Sequence, residues 1–300
     1  MKNKLNIILA IFWLVIAIFF SWLLISRLSG NGSILFNSKT ADRVFGTGGI
    51  TFSLEDLSLG DINTLYKSYS FSASDVEHFN IELVSASVHF VQDSESDITV
   101  GLYGNWNSDI EPEVKLERSK LNIKTPNITF KNKTGIGSRK IVISIPESAI
   151  STLFDADVSS VSGSVHVTDV SFRELDVDTT SGSVHINGYV DVLSANTVSG
   201  SIHVNGTCKN LNCDTISGSI HVETDEPLTG KNNCSTVSGS VHITMPEDCG
   251  FEFEWETISG SVNNAFYNGK CGKSGSQIIG DGRTKIDVET ISGSIHLNKN

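Results

Sequence analysis

From about residue 155 onward, apolar and polar positions alternate with a period of two, and the alternation is punctuated by one recurring phrase, T-[VI]-S-G-S-[VI]-H-V, as in Thr197–Val204. Seven copies centre on Gly163, Gly182, Gly200, Gly218, Gly239, Gly260 and Gly293, with successive steps of 19, 18, 18, 21, 21 and 33 residues. A fixed period near twenty marks a solenoid, in which each repeat adds one rung and buries its apolar side against its neighbours. Two residues before the glycine stand Val161, Thr180, Val198, Ile216, Val237, Ile258 and Ile291; β-branched residues recur two and four after it, with Asn264 the exception. Branched residues at every second position describe a half-buried strand, so these positions and the glycine itself are expected to face inward. Ser flanks the glycine on both sides, and three residues after it come His166, His185, His203, His221, His242 and His296, with Asn263 breaking the series. This set is expected to face outward.

A second short strand precedes each phrase, carrying inward pairs such as Leu175/Val177, Leu193/Ala195, Leu211/Cys213 and Phe253/Trp255. Its parity is opposite to that of the glycine strand, so the chain must switch face between them, at Ser160, Thr179, Thr197, Thr215, Thr236, Thr257 and Thr290. A corner or bulge makes such a switch. An α-helical reading fails, because Ser-Gly-Ser is poor helix material and the apolar period is 2 rather than 3.6. The expected fold is all-β: a parallel β-solenoid of seven rungs, a right-handed β-helix by the usual crossover preference.

The region before the repeats divides into three. Leu5 to Ile25 is almost wholly apolar, with Lys2 and Lys4 before it and Arg27 after it. About twenty such residues span a bilayer, so a transmembrane helix is expected within residues 1–27, crossing at 5–26 with a cytoplasmic N-terminus. The competing reading, a cleaved secretory signal, has a shorter apolar run and an A-x-A-like site, which SWLLISRLSG lacks. Residues 28–70 are turn-rich and read as a stalk, with SGNGS and GTGG among their segments. Residues 71–150 read as an irregular first part of the solenoid and 151–300 as its regular part. Within the irregular part, Val84 to Phe90 is a degenerate copy with Ala86 in the glycine place.

An alternating opening such as FNIELVSASVHFVQDSESDITV, followed by iterated T-[VI]-S-G-S-[VI]-H-V, resembles a bacterial β-strand-repeat family of unknown function, adhesin-like in description. The resemblance covers roughly residues 70–300 and implies a membrane-anchored or envelope-associated protein. It implies no catalytic or binding residues, because that family has none agreed. The chain departs from the pattern at the insertion from Asn263 to Arg283, which stretches the last step to 33.

Charge narrows the partners. The chain of 300 residues carries a net charge of −12, and between residues 155 and 262 three basic residues stand against sixteen acidic ones. Nucleic acid and anionic lipid are poor partners for such a surface. Much of the acid falls six and four residues before the glycine, as at Asp157, Asp176, Asp178, Asp214, Glu254, Glu256, Asp287 and Glu289. Stacked carboxylates can hold Ca²⁺, but no loop has the spacing of a dedicated calcium motif, and a charged face also keeps a sheet soluble.

The column of His166, His185, His203, His221, His242 and His296 is the candidate metal site. Imidazoles one rung apart could share Zn²⁺ or Cu²⁺; alternatively they finish a polar sheet face, or respond to pH by gathering like charges. No cofactor and no catalytic residue is expected. G-x-S-x-G, H-E-x-x-H and phosphate-loop motifs are absent from the sequence. A glycan-active enzyme would need unmatched carboxylates in the 263–283 insertion or the 100–140 region. Cys213 and Cys234 should be inward neighbours able to bridge or to pack as thiols; the count of five cysteines leaves at least one unpaired.

Taken together, these features describe a non-catalytic, single-pass envelope protein. It displays an adhesion, scaffold or sensing module outside the cytoplasm to a protein or glycan partner. A final rung ending at Asn300 leaves little sequence to cover the C-terminal edge, which suggests end-to-end self-association.

Overall fold

The computed structural model describes residues 62–126, 138–149, 153–267 and 269–300. The anchor expected over 5–26 and most of the stalk lie outside the described residues. Nineteen strands form the domain, with two single turns of 3-10 helix and no α-helix among the described residues. Each rung crosses two facing walls. One carries the Ser-Gly-Ser-x-His strand and the other the Leu-x-Val-x-Thr strand; the apolar core fills the space between them.

The central rungs are built from β8 (Phe154–Ser160), β9 (Val165–Thr179), β10 (Val184–Thr197) and β11 (Ile202–Thr215), the last three being single long strands that run from the first wall into the second. Pairing is parallel and in register: His185 lies beside His166 and His203, and Ala195 beside Val177 and Cys213. The step of 19 has a local cause. Asp169 is an extra residue at a register shift, bulged in the left-handed region with φ 57°. The first step of 21 comes from the loop at 224–230, where β12 (Ile220–Glu223) stops before β13 (Lys231–Thr236) begins. In the second, β14 (Val241–Met245) stops before β15 (Phe251–Thr257).

The glycine is required by the stack. A Cβ on Gly182, Gly200 or Gly218 would lie 2.0, 1.9 or 1.8 Å from the carbonyl oxygen of the preceding rung's glycine. On Gly163 it would lie 1.8 Å from the carbonyl of Ala86. Ala86 itself opens the column, which is why a methyl is tolerated there. The threonine three residues earlier satisfies the same corner. The Gly200 N–H donates to Thr197 Oγ1 at 3.0 Å, and that hydroxyl donates to the Gly182 carbonyl at 3.1 Å. The pair of bonds recurs at Thr179, Thr215, Thr236, Thr257 and Thr290, and Ser160 accepts from Gly163. At the far end the Gly260 carbonyl accepts from the Lys273 ammonium. Because the threonine must point into the corner, the two residues after it are thrown outward. This corrects the expected parity: Val161 and Ile258 are 50% and 51% exposed rather than buried, and Thr197 and Thr215 are buried.

The rungs do not stack in chain order. The C-terminal strand β19 (Ile295–Lys299) lies between β14 and β16 (Val262–Asn264), and β18 (Thr284–Thr290) between β13 and β15. The rung of Gly293 therefore sits inside that of Gly260. The insertion folds back as β17 (Ser274–Ile279), antiparallel along β15. The N-terminal end mirrors this. The rung of β2 (His78–Leu83) and β3 (Ser87–Asp93) is internal, and that of β6 (Lys120–Lys124) and β7 (Arg139–Pro146) lies outside it. Antiparallel β5 (Glu113–Glu117) closes one wall, and β4 (Ile98–Gly104) with β1 (Leu65–Phe71) closes the other. The bare C-terminal edge expected above is thus an interior strand paired on both sides, and the motive for end-to-end association through it falls away. Phe79, Phe90, Phe154 and Phe172 pack ring to ring at 5.2–5.5 Å and fill the N-terminal end of the core.

Two substitutions test the corner. Gly218→Ala forces a methyl into the Gly200 carbonyl and should cost at least about 3 kcal/mol. Thr215→Val leaves two buried backbone groups unpaired and should cost about 2–4 kcal/mol, with Thr215→Ser restoring most of it, as Ser160 does naturally. Urea midpoints measure both; an unshifted midpoint for Gly218→Ala would exclude the close approach.

Candidate functional site

The outward position three residues after each glycine is held between two buried branched residues, so its side chain can only stand off the wall. In-register parallel pairing then places every copy directly above the last. Seven imidazoles form one row: His89, His166, His185, His203, His221, His242 and His296, with ring centroids 4.5–4.8 Å apart and planes within 9°. The six sequence candidates all belong to it. His89 was missed, although Ala86 in the glycine place puts it three residues on. The break expected at Asn263 does not interrupt the row, because His242 stacks directly on His296 at 4.6 Å and Asn263 stands beyond it at the end. Val142 stands at the other end, beside His89.

The row is half-buried, and burial disfavours the charged form of five of its members. Burial, with the neighbouring His166 and Lys140 charges adding to it, pushes His89 down from its ordinary 6.5 to about 4. Burial likewise lowers His166, and burial plus adjacent imidazoles lowers His185, His221 and His242. The serine column beside the row is engaged in structure: Ser183 Oγ accepts the Ser201 N–H at 3.3 Å, and the pattern repeats along the wall. These serines are fastened to the next rung, and among the described residues no group orients a histidine of the row toward them as a base.

The geometry does not favour a shared metal ion. Two imidazoles on one Zn²⁺ bring their ligating nitrogens to roughly 3.4 Å with converging lone pairs. Parallel rings one rung apart keep equivalent nitrogens near the rung spacing with parallel lone pairs. Among the described residues no group of three or more His, Cys, Asp or Glu is placed to hold a metal ion.

The acidic face is interleaved with amides. Asn196 donates to Asp178 at 3.0 Å, Asn212 to Asp214 at 3.0 Å and Asn233 to Asn212 at 3.1 Å. Burial raises Asp214, and burial with Asp178 and Asp157 nearby raises Asp176. Lys285 pairs with Glu254 at 2.9 Å. In the 100–140 region, Glu111 is the convergent carboxylate, but Lys67 at 2.6 Å and Tyr69 at 2.8 Å hold it, with Tyr66 at 3.2 Å. Lys67 keeps it ionised below the usual range. The 263–283 insertion supplies an edge strand rather than a substrate groove. Cys213 and Cys234 are register partners, both fully buried and both free thiols, and Cys234 together with burial pushes Cys213 well up.

A groove of about 150 Å³ runs beside His203, His221 and His242, with Asn205, Glu223 and Thr244 along it. It spans β11 and the two 21-residue repeats after it, where β12 and β14 stop instead of continuing as β9–β11 do.

The chain matches the Toastrack DUF4097 family over residues 76–298, and it belongs to that family. No curated protein matches it. Among solved structures, a candidate cell adhesion protein from Clostridium sporogenes ATCC 15579 is 12% identical over 78% of this chain and 98% of its own, with a TM-score of 0.37. A candidate adhesin from Bacteroides fragilis NCTC 9343 is 12% identical over 78% and 97%, with a TM-score of 0.42. A candidate lipid-binding protein from Parabacteroides distasonis ATCC 8503 is 15% identical over 78% and 96%, with a TM-score of 0.41.

Five imidazoles of the row make stability depend on pH in a fixed direction. His89, His166, His185, His221 and His242 bind protons less readily folded than unfolded, so the stability they contribute is present above pH 6.5 and lost as pH falls toward about 4. Thermal melts of the protein should be flat from pH 8 to 7 and fall steadily below 6.5. Replacing His89 and His166 by Asn, the residue at the row's end, should shallow that fall; an unchanged slope would remove the row as its cause.

Proposed function

We propose that the chain is a non-catalytic adhesion or scaffold module of the cell envelope. A single span over residues 5–26 anchors it, with the N-terminus cytoplasmic and the solenoid outside. The observation that supports this most is the uniformity of the exposed wall: Ser, Ser and His recur in almost every rung, and the imidazoles form one unbroken row of like groups. Catalysis needs unlike groups converging on one point, whereas a repeated face suits an extended partner engaged along its length. Antiparallel strands along both ends leave the long faces as the surfaces for binding. The net charge of −12 turns nucleic acid away, so the partner is an envelope protein or glycan. A second reading, a proton-responsive module, rests on the lowered pKa values along the row.

Topology is the first test. In cells stripped of their wall but with intact membranes, an added protease should remove the solenoid and leave a short membrane-bound N-terminal piece. Protection of the whole chain until lysis would overturn the orientation and, with it, the envelope role.

A further inference from the structure

The groove beside His203, His221 and His242 carries a more specific reading, which rests on the scaffold role proposed above. At about 150 Å³ and lined by three successive rungs, it is smaller than the 300–1,000 Å³ typical of sites that enclose a small molecule. It suits a chain lying across several rungs. The imidazole faces are covered by their stacked neighbours at 4.8 Å, so a ligand meets ring edges. A neutral imidazole edge offers one N–H donor and one lone-pair acceptor. Among the described residues, the histidine that bonds a side chain through its ring is His78, to Asp157, and not one of the row. A hydroxyl is likewise donor and acceptor, and a row of such edges repeating every ~4.8 Å matches a polymer that repeats hydroxyls at about the same interval.

We propose that this groove binds an uncharged polysaccharide chain laid parallel to the solenoid axis, about one sugar to a rung, with Asn205, Glu223 and Thr244 bonding its outer hydroxyls. Other polymers fit less well. Burial holds His221 and His242 neutral, Glu223 adds a negative charge, and the net charge is −12, so a polyanion meets repulsion. A peptide strand cannot add to the sheet here, because the backbone of β11, β12 and β14 is already paired along this wall.

The test titrates the full-length protein in detergent, with ¹³C-labelled histidine, using uncharged β-1,4-linked oligomers of glucose, mannose and N-acetylglucosamine from dimer to hexamer. At least one series should shift the Cε1–Hε1 signals of His203, His221 and His242. Its affinity should rise at least about tenfold from dimer to hexamer as further rungs engage. His221→Asn should abolish the length dependence, and Glu223→Ala, at an exposed position, should weaken hexamer binding without altering the melt. No shift with any hexamer, binding that ignores length, or binding of a polyuronate alone would each overturn the proposal. Because the protease experiment uses no sugar, failure here with the solenoid accessible outside defeats this inference and leaves the scaffold reading standing.

Discussion

The whole stack depends on the contact between one glycine and the next. At the corner of each rung the backbone carbonyl points straight at the following glycine, close enough that any Cβ would overlap it. The buried corner leaves an N–H and a C=O that water cannot reach, and an unpaired buried group of this kind costs about 1–3 kcal/mol. Threonine resolves both with one hydroxyl, accepting from its own rung and donating to the one before. The Thr-x-Ser-Gly-Ser phrase is therefore a single device repeated. Glycine admits the neighbour's carbonyl, threonine pairs it, and the second serine fastens the next rung's backbone.

That device also explains how the ends are built. A stack of parallel rungs leaves an open edge at each end, the feature that makes sheets aggregate. Here both terminal segments of the solenoid are tucked one rung inward, and internal segments form the outermost rungs. The chain between can then turn back as antiparallel strands, β17 at one end and β4 and β5 at the other, where β1, from before the first rung, pairs with β4. Lys273, carried by the same insertion, pairs the last glycine carbonyl, which has no following threonine. Regularity inside and irregularity at the ends are two answers to one requirement: every backbone group must find a partner.

The histidine row is a consequence of this architecture before it is anything else. In-register stacking sets seven imidazoles 4.5–4.8 Å apart, centroid to centroid. Burial, joined at most positions by a neighbouring imidazole, then disfavours the charged form of His89, His166, His185, His221 and His242.

The periodicity of Gly, Thr and His was legible because each obeys a local rule. Side chains alternate across a strand, and the repeat copies its corner. Those rules specify the all-β class, the rungs, the outward column and the register of Cys213 with Cys234. They could not reveal that Val161 and Ile258 face solvent, because apolar character alone does not distinguish a strand position from a corner; only the threonine's buried bonding does. In sequence order Asn263 is a gap in the row and Asn300 lies at an edge, but sequence order is not stacking order. Which rung lies next to which is settled by long-range pairing, and the tertiary structure alone slid the Gly293 rung inside that of Gly260. That exchange closes the His242–His296 gap, makes the row continuous and frees the insertion to cap the end, since edge strands must be paired wherever in the chain the partner comes from.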